Sequence, residues 1–130
     1  MLKYLETPKQ DRQFLKINPS KKRLSGLLHT FIINDHDHYV KYIPSLNLSA
    51  YGDTKEELEE MMQVCLEEYL DAFFDLSDSE MQKELSKYGW EREKLFRKRY
   101  FNNSYVDKEG ILQNFNLPAE TEISESQIAV

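Results

Sequence analysis

The sequence predicts an α+β protein: an antiparallel three-stranded sheet (a β-β-β-α core) covered by a long helix, followed by a second helix and an irregular C-terminal extension. Two apolar, β-branched runs separated by a short polar link predict the first two strands. A long stretch whose apolar residues recur at helical intervals predicts the helix. The chain has 130 residues, 40% of them apolar and 12% aromatic, which is enough for one domain with a sizeable core. That aromatic content argues against intrinsic disorder, because aromatic burial offsets chain entropy.

Residues 1–25 are polar and basic, are punctuated by Pro8 and Pro19, and read as an N-terminal arm. Within it Gln13 to Ile17 fits a short strand, and Lys21-Lys22-Arg23 reads as a solvated turn. The core is expected over residues 26–90. Leu27, Leu28, Thr30, Phe31, Ile32 and Ile33 read as a buried strand. Asn34-Asp35-His36-Asp37 supplies turn residues, and Tyr39 to Ile43 follows as a second strand that stops at Pro44. So short a link makes the pair an antiparallel hairpin. Leu46 to Tyr51 is a shorter third strand ended by Gly52.

Thr54 and Glu57 have capping-box spacing, with Asp53 as a competing cap, and open a helix from about Lys55 to Asp75. Leu58, Met62, Cys65, Leu66, Tyr69 and Phe73 form its inner stripe. Glu56, Glu59, Glu60, Glu67 and Asp71 fall mostly on the other side. Ser77 and Glu80 repeat the cap for a second helix, with Met81, Leu85 and Tyr88 facing inward and Gly89 as the stop. Residues 91–130 form a C-terminal extension packed on the core. There Leu95-Phe96 and Tyr100-Phe101 fit a helix or a strand equally, Asn102-Asn103-Ser104 breaks the pattern, and Ile123 to Val130 suits an edge strand.

The net charge of −6 is unevenly spread. Residues 1–34 carry seven Lys/Arg against two Asp/Glu, residues 35–80 two against thirteen, and residues 81–130 eight against eight. The acidic middle repels phosphate and suits a basic partner. No apolar run has the length of a membrane-spanning helix, and the first residues show no signal-peptide pattern. One cysteine, Cys65, excludes an internal disulfide and a paired-cysteine metal site. A cytoplasmic setting is expected.

Chemistry-bearing patterns are few. In Asp35-His36-Asp37-His38 imidazole and carboxylate alternate as metal ligands do, but the place is a hairpin turn and no third strong ligand is evident. Paired carboxylates on the long helix read as a solvated face, and Cys65 on the apolar stripe reads as a packed thiol. There is no nucleophile elbow, phosphate-binding loop or glycine-rich dinucleotide turn. No enzyme activity and no cofactor are expected. Arg92, Lys94, Arg97, Lys98 and Arg99 are interleaved with aromatics, a combination that holds phosphates while stacking bases, or that pairs with the acidic segment.

The stretch from Tyr39 to Leu58 resembles the HicB antitoxin family in Pro44, Leu46, Gly52, Asp53, Thr54, Glu56 and Glu57, in that order. The family's frequent Pro-Gly-Cys is replaced here by Asn47-Leu48-Ser49. The likeness covers roughly Leu27 to Leu76, and the helix ending in Gly89-Trp90 looks like a variant branch of the family. The resemblance implies a partly degraded ribonuclease-H-like fold without nuclease activity. It implies a HicA-type partner, a small basic RNA-cleaving toxin that the antitoxin neutralises, and self-association into a homo-oligomer. Exposed Glu56, Glu59, Glu60 and Glu67 are the candidate partner contacts. The alternative is an orphan domain that regulates through nucleic acid held by the Arg92 to Arg99 cluster.

Overall fold

The computed structural model describes residues 12–35, 37–94, 98–102 and 108–130. They form one antiparallel seven-stranded sheet with helices on both faces. In chain order the elements are β1 (Gln13–Asn18), β2 (Arg23–Asp35), β3 (His38–Ile43), β4 (Leu48–Gly52), α1 (Lys55–Phe73), α2 (Asp78–Ser86), β5 (Trp90–Arg92), β6 (Arg99–Asn102), α3 (Lys108–Asn114) and β7 (Glu122–Ala129). A 3-10 turn at Pro19–Lys21 joins β1 to β2. The α+β class and the β2-β3-β4-α1-α2 order agree with the sequence reading. The strand number does not: the sheet has seven strands among the described residues, not three. The C-terminal extension is not irregular either, because β5, β6 and β7 are strands of that same sheet. Of the expected features, His36, Leu95, Phe96, Arg97, Asn103 and Ser104 lie outside the described residues.

The sheet is organised by β2, thirteen residues long. Its first five residues pair with β1 and its last five with β3. Leu27 to Asn34 pair with β7. Successive residues of a strand turn their backbone groups to opposite edges. Gly26 exchanges both its hydrogen bonds with Val130, so the even positions serve β7 and the odd positions serve β1 and then β3. Two strands therefore abut end to end along one edge of β2. Gln13 closes the seam between them: its Oε1 accepts from the His29 N–H at 2.9 Å and from the Ser45 hydroxyl at 2.8 Å. The Trp90 indole N–H donates to the Ser45 carbonyl at 2.7 Å, which ties β5 to the turn after β3.

Alternation along the strands builds two cores. On one face Leu15, Ile17, Leu28, Ile43, Ala50, Trp90 and Tyr100 pack under Leu58, Met62 and Phe73 of α1 and Met81 and Leu85 of α2. On the other face Phe31, Ile33, Val40 and Ile123 pack against Ile111 of α3, with Tyr42 meeting the Phe115 ring edge-on at 5.1 Å. Thr54 is the cap of α1, accepting from the Glu57 N–H, while the Glu57 carboxylate accepts from the Asp53 N–H at 2.7 Å. Both halves of the Ser77–Glu80 capping box are present at α2. Gly52 is required for a different reason: a Cβ there would lie 2.5 Å from the Leu58 backbone nitrogen, where β4 meets the first turn of α1.

Candidate functional site: an acidic helix face and a basic sheet face

Helix α1 buries Leu58, Met62 and Phe73 and leaves its opposite side in solvent. Glu56, Glu60 and Glu67, at spacings of four and seven, share that outward side, and Asp71 continues the row. All four are exposed. Met61 and Val64 lie beside them, 42% and 43% exposed. From residue 56 to residue 82 the sequence has ten Asp/Glu and no Lys or Arg. The face therefore combines apolar area with negative charge that no cation of the same helix beyond Lys55 balances, although Lys22 borders the same depression as Glu67 and Asp71.

Glu59 stands apart. It turns toward the sheet, where its Oε1 accepts from the Lys41 ammonium at 2.8 Å. The Lys41 side chain is only 6% exposed and that of Glu59 is 61% exposed. The pair borders a groove of about 370 Å³ between α1 and the ends of β2 and β7, lined by Leu24, Leu46, Met62, Leu66 and Ile128. The structure thus groups three of the four predicted glutamates and assigns the fourth to an ion pair. Asp71, Met61 and Val64 were missed, although an acidic row at helical spacing is readable in the sequence.

The predicted basic cluster is divided. Arg92 lies on the helix-covered face, where its guanidinium donates to both Asp78 carboxylate oxygens at 3.0 and 3.1 Å and to the Tyr100 hydroxyl. Hydrogen bonding to Tyr100, reinforced by Asp78 against the cost of burial, raises its pKa further. Lys94 and Lys98 are exposed. Arg99 belongs to the opposite face, because Arg99 and Tyr100 are consecutive on β6. There Phe14 and Phe101 are direct cross-strand partners, as are Lys16 and Arg99. The guanidinium carbons of Arg12 and Arg99 lie 5.1 and 5.6 Å from the centre of the Phe101 ring, within cation–π range. Glu93 reaches Arg99 at 3.8 Å. Phe14, Lys16 and Arg12 extend this basic face beyond the residues that the sequence reading singled out.

Asp35 and His38 pair where β2 passes to β3, and Asp37 and His38 are exposed. Among the described residues no three His, Cys, Asp or Glu side chains converge as metal ligands would. Cys65 is half-buried and donates to the Ser49 carbonyl at 3.7 Å. No family model, curated protein or solved structure matches the chain.

Proposed function

We propose that this chain is a HicB-like, antitoxin-type protein of the cytoplasm that binds and neutralises a small basic HicA-type toxin and catalyses nothing itself. The observation that carries the reading is the outward side of α1, where the row Glu56, Glu60, Glu67 and Asp71 runs beside exposed Val64 and Met61 with no cation on the helix beyond Lys55. A basic protein approaching that side gains association rate and orientation from the field, and its apolar contacts then hold the complex. Glu59 contributes negative potential while remaining tied to Lys41.

Co-expression with a small basic protein encoded beside this chain's gene, followed by co-purification at moderate and high salt, tests the reading, and the absence of any such gene counts against it. A complex that restores growth to toxin-expressing cells is expected, and the triple variant Glu56→Lys, Glu60→Lys, Glu67→Lys should lose it. Glu59 is left intact in that variant so that the fold is not disturbed. Failure of the two wild-type proteins to associate, or growth rescue undiminished by the triple reversal, overturns the proposal.

A further inference from the structure

The basic face of the sheet has no place in a contact made by α1, which covers the other side. Its side chains form an ordered array. Phe14 and Phe101 stand opposite each other on β1 and β6, and two positions further along Lys16 and Arg99 stand opposite each other. Directly opposed residues lie about 5 Å apart, and the step of two residues along a strand is roughly 6.6 Å. Arg12 adds a cation over Phe101, and exposed Arg23 occupies the same face beside Lys16. Among the described residues Phe14 and Phe101 are half-buried and belong to neither core, since α3 packs on the other half of this face.

Two features of the array point to an anionic ligand with flat rings. Like charges directly opposed across a strand pair repel and destabilise the sheet. Glu93 answers Arg99 from the edge strand, but among the described residues no carboxylate lies within ion-pair distance of Lys16, which is exposed. An anion seated between Lys16 and Arg99 removes that repulsion. The aromatic pair then lies about one base-to-phosphate step away. Ring faces are available only on unstacked bases, so the fit is to a single strand and not to a duplex.

We infer that the Phe14–Phe101/Lys16–Arg99 face of the sheet is a binding site for single-stranded nucleic acid, with a base on Phe14 and phosphates on the cations gathered around Phe101. The site is independent of the partner contact proposed for α1 and lies across the sheet from it. Arg92 takes no part, because Asp78 and Tyr100 hold it on the covered face.

Fluorescence anisotropy on the full chain, with labelled oligouridylate and oligothymidylate of about 12 nucleotides and a duplex of the same length, tests this. Both single strands are expected to bind more tightly than the duplex. Lys16→Glu with Arg99→Glu should weaken single-strand binding at least about tenfold and reduce the slope of log affinity against log salt by about 1.4, two lost phosphate contacts. Phe14→Ala should cost about fivefold or more on the single strands through lost stacking. Glu60→Lys, on the opposite side of the molecule, should not weaken binding. Thermal melts of each variant establish that it folds; Lys16→Glu alone, a surface change, serves if the double variant does not. Absence of single-strand binding at low salt, wild-type affinity in the Lys16 variants, or duplex binding as tight as single-strand binding and indifferent to Phe14, each overturns the inference.

Discussion

The Lys41–Glu59 pair makes a quantitative prediction, because one partner is buried and the other is not. At 2.8 Å and an effective dielectric of about 20, the Coulomb attraction is about 6 kcal/mol. Most of it offsets the desolvation of the ammonium, on a side chain that is only 6% exposed. Glu59 is 61% exposed and the groove opens to solvent, so water screens the pair and partly replaces the carboxylate when it is removed. Glu59→Ala is therefore expected to cost about 1–2 kcal/mol, below the range for a sealed ion pair. Lys41→Met keeps the length of the side chain, removes the buried charge and should change stability by less than about 1 kcal/mol. In the double variant the loss of Glu59 should then cost almost nothing, a coupling of about 1–2 kcal/mol. Urea melts of the four proteins measure it, and 1 M salt should reduce the Glu59→Ala effect. A neutral Glu59→Ala, or a Lys41→Met more damaging than Glu59→Ala, refutes this account of the pair.

Gly52→Ala should lower stability by about 1–3 kcal/mol, since its Cβ would meet the backbone of Leu58, which has nowhere to move; a shift in the urea midpoint reads it. The Tyr69 hydroxyl is buried with no hydrogen-bond partner among the described residues, and burial, with Glu84 and Tyr88 adding, drives its pKa upward. Tyr69→Phe should accordingly raise the melting temperature, by the equivalent of about 1 kcal/mol. Glu80 is held below its ordinary value of 4.5 by hydrogen bonds from Ser77. A lowered folded-state pKa means that its contribution is present above the unfolded pKa and is lost as pH falls through the folded one. Glu80→Gln should therefore lower stability at neutral pH and converge on the wild type as pH falls below about 4.5, so that the acid limb of its stability-against-pH curve is flatter.

The parts of the fold that were legible are those whose signals are local. Caps at Thr54 and Ser77, the helical stripe from Leu58 to Phe73 and the run from Leu27 to Ile33 each declare themselves within about one element. The remaining strands do not. Trp90–Arg92 and Arg99–Asn102 are three and four residues long, too short for a period; the second gains its strand character from pairing with β1, and the first from pairing with the second. In β7 only Ile123 and Ile128 mark the strand, and they point to opposite faces. The candidate site shows the same division. The acidic row on α1 follows from helical spacing alone. That Glu59 would leave it for Lys41, and that Arg92 and Arg99 would face opposite ways, depends on strand register, which composition does not reveal.

The long strand β2 also governs how the molecule comes together. Its edge toward β7 is filled by residues such as Ser126, 96 positions from the Thr30 that it meets. Closing so large a loop is entropically expensive and rewards nothing until late, so β1, β2, β3 and β4 should assemble as a local meander well before the sheet is complete. Through that interval the even-numbered backbone groups of β2 stand open beside the exposed side of Leu28 and Ile32. A chain stalled before β7 docks carries a ready template for pairing with another molecule. The nascent protein is then safest when synthesis of its last strand is prompt, and a truncation that removes β7 should be seen first as aggregation during expression rather than as lost binding.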